Sequence, residues 1–240
     1  MADKADELGG AAFRTFYLGH DAEYRRRREQ GRSGWDEEKS LRQTLAGMEE
    51  FLGDARLGPR ARILELGCGA GNLMLHWAAL GHEVAGVDIS RYAVEWGREQ
   101  AAARGLQAAF FVADVTQELE VPVEPADLVL DGHCLHCIIG KDRRMFFDNA
   151  RKYLKPGGLL HINTMCGDPH HVFAEPAHFD AVHRCVVCNG IATRYFGKSA
   201  ELLREVAEGG FEIMKWRVNP AEYEGDEDCL LVNARVRGGR

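Results

Sequence analysis

Residues 132–137 read Gly-His-Cys-Leu-His-Cys, so two imidazoles and two thiols fall within six positions. Imidazole gains and loses a proton near neutral pH, and a thiol beside an imidazole can become an activated nucleophile. His133 and His136 are accordingly the candidate catalytic residues. His133 is the better candidate for a general base, because it lies closer to the end of the preceding predicted strand. His136 has an alternative explanation, in which it packs and hydrogen-bonds beneath the site.

A metal site is the competing explanation for these side chains. The pairs with the spacing of zinc ligands are His133/His136, Cys134/Cys137 and Cys185/Cys188. A structural zinc site usually shows two paired Cys-x-x-Cys motifs at regular separation, and Cys185/Cys188 is the one clean pair. Cys134/Cys137 falls on what we expect to be the first turn of a helix, where burial explains the thiols equally well. We therefore predict no bound metal and thiols that act as small apolar side chains.

Composition narrows the class of protein. The chain has 240 residues, 45% hydrophobic and 28% charged, which suits one large α/β domain or such a domain with a small lobe. A formal net charge of -7 argues against a nucleic-acid partner, which usually requires a basic surface. The polar N-terminus predicts no signal peptide, and no apolar run is long enough for a membrane span. With seven cysteines and no export signal, we expect reduced thiols and a cytoplasmic protein.

Short apolar runs alternate with helical patterns from residue 62 onward. The predicted strands cover residues 62–66, 83–88, 108–114, 126–131, 159–165, 211–219 and 229–237. The predicted helices cover residues 72–81, 90–105, 142–154 and 199–210. This alternation predicts a doubly wound, mostly parallel sheet with helices on both faces. The last two strands have no helix between them and predict a hairpin with an antiparallel edge strand.

Two segments stand apart from this alternation. Residues 1–58 are polar and predict an N-terminal helical cap whose second helix covers 36–52. Residues 59–240 form the predicted main domain. Within it, residues 165–197 hold several His and Cys residues without strong periodicity, and they predict a loop-rich lid.

A glycine-rich turn follows the first predicted strand of the main domain, in the sequence Ile-Leu-Glu-Leu-Gly-Cys-Gly-Ala-Gly-Asn at 63–72. Glycine is expected where a chain turns sharply and a ligand approaches bare backbone. Glu65 lies at the end of the strand, and Asp88 ends the next one, where a carboxylate can accept from both hydroxyls of a ribose. Asn72 follows Gly71, so the spacing differs from the glycine pattern of nicotinamide-dependent oxidoreductases, which we disfavour.

Five motifs in the expected order resemble the class I S-adenosylmethionine-dependent methyltransferases. They are Leu-Glu-Leu-Gly-Cys-Gly-Ala-Gly (64–71), Ala-Gly-Val-Asp-Ile-Ser (85–90), Val-Ala-Asp-Val (112–115), residues 126–138 and residues 154–164. The resemblance implies a seven-stranded sheet with an antiparallel last strand, and S-adenosylmethionine as cofactor. Residues 31–36 further resemble the tryptophan-bearing entry segment of thiopurine- and tellurite-type methyltransferases, in which that segment closes over the cofactor.

The resemblance also implies a cofactor-binding set: Trp35, Glu65, Gly67, Cys68, Gly69, Asn72, Asp88, Ile89, Asp114, Val115 and Asp131. Glu65 and Gly67 would lie near the methionine end of the cofactor, and Asp88 would hold its ribose. Ile89 and Val115 would lie beside the adenine, and Asp114 would accept a hydrogen bond from the adenine amino group. Asp131 would face the amino group or sulfonium of the methionine part. Cys68 would be a small packing residue, and Trp35 a lid residue.

The predicted function is methyl transfer to a small-molecule acceptor through an oxygen, nitrogen or sulfur nucleophile. The acidic net charge argues against a nucleic-acid acceptor. Residues 131–134 read Asp-Gly-His-Cys where nucleic-acid and amide-nitrogen methyltransferases carry Asn-Pro-Pro-Tyr, which argues against nucleic-acid and amide-nitrogen acceptors. One alternative is methylation of a thiophilic metalloid species held by the cysteines. Another is a metal-binding or sensing protein that keeps the fold. The oligomeric state is left open.

Overall fold

Strands and helices alternate through most of the chain. The computed structural model describes residues 13–35, 38–53, 57–171, 176–223 and 225–237. In chain order the elements are β1 (Arg14–Thr15), α1 (His20–Glu29), α2 (Glu38–Leu52), β2 (Arg62–Leu66), α3 (Asn72–Ala79), β3 (Glu83–Asp88), α4 (Arg91–Ala103), β4 (Ala109–Val112), β5 (Ala126–Asp131), α5 (Arg143–Tyr153), β6 (Leu154–Met165), β7 (His178–Asp180), β8 (Cys185–Cys188), β9 (Ile191–Tyr195), α6 (Ser199–Glu208), β10 (Phe211–Asn219) and β11 (Cys229–Val236). Parts of the predicted cap (1–12, 36–37 and 54–56) and of the predicted lid (172–175) lie outside the described residues.

A seven-stranded sheet forms the centre of the fold, with strand order β10-β11-β6-β5-β2-β3-β4. Its strands run parallel except β11, which is antiparallel to both neighbours. The predicted doubly wound, mostly parallel sheet with an antiparallel last strand is therefore confirmed. The expectation that the antiparallel strand forms the edge was wrong. The crossover through α6 places β10 one strand away from β6, and β11 folds back into the space between them, which leaves β10 at the edge.

Each central strand is buried on both faces, because side chains alternate across the sheet. Leu64 packs on the face covered by α5 and α6, in a core with Phe146 and Leu202. Its neighbour Ile63 packs on the opposite face, which is covered by α2, α3 and α4. This double burial explains why the strands appear in the sequence as continuous apolar runs.

The N-terminal helices have different positions. Helix α2 lies against the main sheet, where Met48 and Leu52 share a core with Ile63, and the backbone carbonyl of Phe51 accepts from Asn233 Nδ2 at 3.0 Å. Helix α1 instead packs against α4. Its Asp21 accepts a hydrogen bond from Ser90 Oγ, which ties α1 to the start of α4.

A second, four-stranded sheet of order β1-β9-β8-β7 lies within and beside the predicted lid. Residues 165–197 are thus not loop-rich, as expected, but contain three strands in antiparallel pairing. An Asn-Gly turn joins β8 to β9, with φ of 50° at Asn189 and 73° at Gly190. Positive φ at both central residues defines the turn type that Asn-Gly favours in hairpins, so this hairpin was readable in the sequence and was missed. No helix in the described ranges has the length and apolar character required to cross a bilayer.

Candidate active site

The glycine-rich turn connects β2 to α3 at the carboxyl edge of the sheet. Gly67 and Gly69 have φ of 76° and 51°, in the left-handed region that favours glycine. A Cβ on Gly67 would lie 2.3 Å from Cys134 Cβ, and one on Gly69 would lie 2.2 Å from the hydroxyl of Tyr24. We expected a ligand to approach this backbone. In the structure, side chains of the protein lie against these two glycines.

Glu65 lies beneath this turn and is buried. Its Oε2 accepts from the backbone N–H of Met74 at 3.1 Å, in the first turns of α3. Gly132 packs tightly against the other oxygen, since a Cβ there would lie 2.1 Å from Glu65 Oε1. Burial raises the pKa of Glu65 well above its usual value, and the nearby carboxylates of Asp88 and Asp131 raise it further.

Asp88 ends β3 and holds the turn in place. Its Oδ2 accepts from the backbone N–H of Gly69, and its Oδ1 accepts from that of Ser90, both at 2.8 Å. Burial raises the pKa of Asp88, although the two backbone donors favour its charged form. The carboxylate therefore joins the glycine-rich turn to the N-terminus of α4, and each oxygen keeps a further lone pair for a ligand.

Asp131 ends β5, directly beside Leu66 of β2. Its Oδ1 accepts from the backbone N–H groups of Cys134 and Leu135, at 2.8 and 2.9 Å. Its Oδ2 is buried and has no hydrogen-bond partner among the described residues. Burial raises the pKa of Asp131 to about 6. A buried acceptor without a partner is costly, so a cationic donor at this position would be stabilised.

The other predicted cofactor residues lie around this edge in different settings. Asp114 is half-buried, and its Oδ1 accepts from the backbone N–H and hydroxyl of Thr116 at 2.9 and 2.6 Å. Val115 and Cys68 are buried in the two main cores. Ile89 is half-buried after β3. Asn72 begins α3, with its side chain against the backbone of Gly34.

Helix α1 and the residues after it cover the glycine-rich turn with aromatic side chains. The Trp35 ring lies 5.2 Å from the Tyr24 ring and 5.4 Å from the His20 ring, centroid to centroid. The Arg27 guanidinium stacks 4.5 Å above the Trp35 ring, a favourable cation–π arrangement. Trp35 therefore lies in a covering layer over the carboxyl edge of the sheet.

Residues 132–137 form a bend and a single 3-10 turn instead of an α-helix, with the Cys137 N–H donating to the Cys134 carbonyl at 2.8 Å. His133 has φ of 59°, a left-handed conformation that is strained for a non-glycine residue and often occurs at functional sites. The rings of His133 and His136 meet edge to face, 5.8 Å apart. Both candidate catalytic histidines thus lie at the carboxyl end of β5.

The structure adds two residues that the sequence did not single out, His20 and Arg194. The Cys137 thiol donates to the carbonyl oxygen of His133 at 3.8 Å, and it interacts electrostatically with His136 of its own turn, His20 of α1 and Arg194 of β9. Burial acts to raise the pKa of the Cys137 thiol. The positive charge of Arg194, the charge and hydrogen bond of His136 and the hydrogen bond of His20 outweigh burial, so the pKa lies well below its usual value. The Asn-Gly hairpin could have indicated that Arg194 lies on a strand. Nothing local in the sequence pairs that strand with residues near His20.

The metal hypothesis can be compared with this geometry. Among the described residues, no group of three or more His, Cys, Asp or Glu side chains is arranged to hold a metal ion. Cys185 and Cys188 lie three positions apart on β8, so they point to opposite faces of the strand, one buried and one half-buried. That pair cannot bind one ion jointly.

Comparison with known proteins agrees with the fold. Residues 63–158 match the family described as "Methyltransferase domain". A ubiquinone biosynthesis O-methyltransferase from a Caulobacter species is 33% identical over 104 residues, 43% of this chain and 40% of that protein. A tRNA N(3)-methylcytidine methyltransferase from Drosophila melanogaster is 37% identical over 113 residues, 44% of this chain and 34% of that protein. The chain therefore spans less than half the length of these curated relatives.

A solved structure covers more of the chain. The 1,6-didemethyltoxoflavin-N1-methyltransferase of Burkholderia thailandensis, with bound S-adenosylhomocysteine, has a TM-score of 0.67 at 20% identity and covers 90% of this chain and 85% of its own. At this identity the likeness establishes the fold alone. Taken with the matched domain, it leads to one conclusion: residues 63–158 match a methyltransferase domain, and the chain has the fold of solved S-adenosylmethionine-dependent methyltransferases.

Proposed function

We propose that the protein transfers a methyl group from S-adenosylmethionine to a small-molecule acceptor. The observation that supports this most directly is the set of three buried carboxylates at one edge of the sheet: Glu65, Asp88 and Asp131. Burial raises the pKa of each of them. Such a site suits a ligand with a sulfonium and an ammonium group, because positive charge stabilises buried carboxylates.

In this proposal, different residues bind different parts of the cofactor. Asp88 accepts from the ribose hydroxyls through the lone pairs left by Gly69 and Ser90. Asp131 Oδ2, buried and unpartnered among the described residues, accepts from the ammonium group. Asp114 accepts from the adenine amino group, and Trp35 closes the site. When bound, the cofactor supplies a methyl group on a sulfonium that needs no further activation, so these residues act by orienting it and excluding water.

The acceptor class is proposed from the charge of the chain, since the named relatives act on different molecules. The named relatives include an O-methyltransferase of ubiquinone biosynthesis and a tRNA methyltransferase. We favour a small molecule because the net charge of -7 opposes binding to a phosphate backbone. The acceptor would enter between the 132–137 turn and the second sheet, where His133 and His136 meet it.

Two measurements test the proposal. Isothermal titration calorimetry with S-adenosylhomocysteine should show binding, and NAD should show none. A screen with radiolabelled S-adenosylmethionine against phenols, amines, thiols, metalloid oxyanions and tRNA should then label a small molecule. No binding of S-adenosylhomocysteine would overturn the function. Binding without transfer to any compound would favour a sensing protein, and label only on tRNA or a metalloid would replace the acceptor class.

A further inference from the structure

His161 lies in the interior of the main sheet and has one ring nitrogen without a partner. It belongs to β6 and is fully buried. In the register of the sheet it lies between Leu130 of β5 and Asn233 of β11. Its Nε2 has no hydrogen-bond partner among the described residues. Buried polar atoms in native proteins are nearly always paired, so this nitrogen indicates a partner that the described part of the chain does not supply.

Hydrogen bonds to neighbouring residues fix the tautomer of this imidazole. The Nδ2 of Asn233 donates to the carbonyl oxygen of Phe51 at 3.0 Å, and this oxygen can only accept, so the orientation of the Asn233 amide is fixed. The Asn233 Oδ1 therefore accepts from His161 Nδ1, 2.8 Å away. A neutral imidazole with its proton on Nδ1 has an acceptor at Nε2. Burial lowers the pKa of His161 to about 4, so the ring is neutral near neutral pH.

The position of Nε2 follows from the same hydrogen bond. Because Nδ1 is directed toward Asn233 on β11, Nε2 is on the other side of the ring, toward β5. The ring packs against Phe51 of α2, with 5.9 Å between centroids, so it lies on the sheet face that α2 covers. Strand β5 ends at Asp131, and the turn that carries His133 follows it. The charge of His133 contributes to the low pKa of His161, which agrees with this placement. Nε2 is therefore on the side of the sheet where the candidate catalytic turn lies.

Asn163 provides a second unpartnered atom on the same face. It follows His161 by two residues on β6, so its side chain lies on the α2 face and nearer the carboxyl edge. Its Oδ1 is buried and, in the described part of the chain, has no hydrogen-bond partner. His161 is fully buried, whereas Asn163 and Met165 are half-buried, so this face becomes more open toward the carboxyl edge. Two unpartnered acceptors thus lie along one direction, from the edge of the sheet inward.

We propose that His161 Nε2 and Asn163 Oδ1 form a subsite for the methyl acceptor, and that this acceptor is a neutral molecule with a hydroxyl or N–H donor besides the group that is methylated. This inference rests on the proposed methyl transfer. Both subsite atoms are uncharged hydrogen-bond acceptors. A compound without a second donor leaves them unpaired, and sites built to hydrogen-bond a substrate discriminate strongly against such compounds. A fully ionised oxyanion offers only acceptors, so it pairs with neither atom.

Nitrogen NMR of protein labelled with nitrogen-15 histidine tests the subsite without turnover. With S-adenosylhomocysteine bound, His161 should show a protonated Nδ1 and an unprotonated Nε2 at neutral pH. Its resonances should be absent in His161→Phe and present in His178→Phe, a matched control at an exposed position of β7. The probes are catechol, ortho-phenylenediamine and ortho-aminothiophenol, which carry two donors each. At least one of them should shift the Nε2 resonance, and veratrole, the dimethyl ether of catechol, should not.

Kinetics then connect the subsite to the reaction. The counterparts with one donor group are guaiacol, aniline and thiophenol. For a probe that is methylated, KM should lie below that of its counterpart by about 5–150-fold, the effect of one unpaired buried group. His161→Phe should remove most of this difference by raising KM for the probe, with a much smaller change in kcat. Asn163→Leu leaves the pair of His161 and Asn233 intact, so it should fold where His161→Phe does not, and it should also reduce the difference.

Several results would overturn the inference. The first is a proton on Nε2 of His161 in the unaltered protein. The second is an Nε2 resonance that none of the three probes moves, which would assign this nitrogen to an internal water molecule. The third is a preference for two-donor compounds that is absent, or that both variants retain. Failure of the unaltered protein to bind S-adenosylhomocysteine would instead overturn the proposed function.

Discussion

Replacing Asp88 by Ala should weaken cofactor binding and the fold by separately measurable amounts. The side chain accepts from two buried backbone donors, Gly69 N–H and Ser90 N–H, each at 2.8 Å. A buried donor left without a partner costs about 1–3 kcal/mol, so the free energy of unfolding should fall by about 2–6 kcal/mol. Lost hydrogen bonds to the ribose should cost a further 1.5–3 kcal/mol of cofactor binding, roughly a 10–150-fold rise in Kd.

Urea denaturation and calorimetry with S-adenosylhomocysteine measure the two effects. Asp88→Asn keeps one acceptor oxygen and should lose about 1–3 kcal/mol of stability. Glu95→Ala on the exposed face of α4 is the matched control and should change stability by less than about 0.5 kcal/mol. A Kd for Asp88→Ala equal to that of the unaltered protein would refute the assignment of Asp88 to the ribose. An unchanged denaturation midpoint would refute its role in holding the turn.

Three other outcomes follow from the same edge of the sheet. Because burial raises the pKa of Asp131 to about 6, its contribution to stability is present below the usual carboxyl pKa and is lost as pH rises through 6. The free energy of unfolding, measured by urea denaturation, should fall by about 3 kcal/mol as the pH rises above 4. The Asp131→Asn variant, measured at the same pH values, should not show this fall. Gly67→Ala should cost about 1–3 kcal/mol more than Gly31→Ala, since both have φ of 76° but a Cβ at Gly31 has nothing within 4 Å; equal costs would mean that Cys134 simply moves aside. Elemental analysis of purified protein should find far less than one equivalent of zinc. A full equivalent of zinc that is lost in Cys137→Ser would mean that the side chains around Cys137 bind a metal ion.

Much of the fold was determined by local patterns in the sequence. Residues 62–66, 83–88 and 126–131 form strands with the predicted bounds, because continuous apolar runs between turns require burial on both faces. The glycines at 67, 69 and 71 fix the turn by their positive φ. Alternation of strand and helix makes the sheet parallel, and the carboxyl ends of parallel strands must meet at one edge. Hence Glu65, Asp88 and Asp131 could be placed together from sequence.

Other features depended on contacts between distant segments. Strand β11 lies inside the sheet because the crossover to β10 leaves a space there, which no hairpin pattern specifies. Strand β1 pairs with β9, although only two residues of β1 take part, so local preference gives no prediction. The cluster around Cys137 needs α1, β5 and β9 to meet at one point. That packing, and not the neighbours of Cys137 in the chain, sets which charges surround the thiol and therefore its pKa. Only the tertiary structure decided which charges these are.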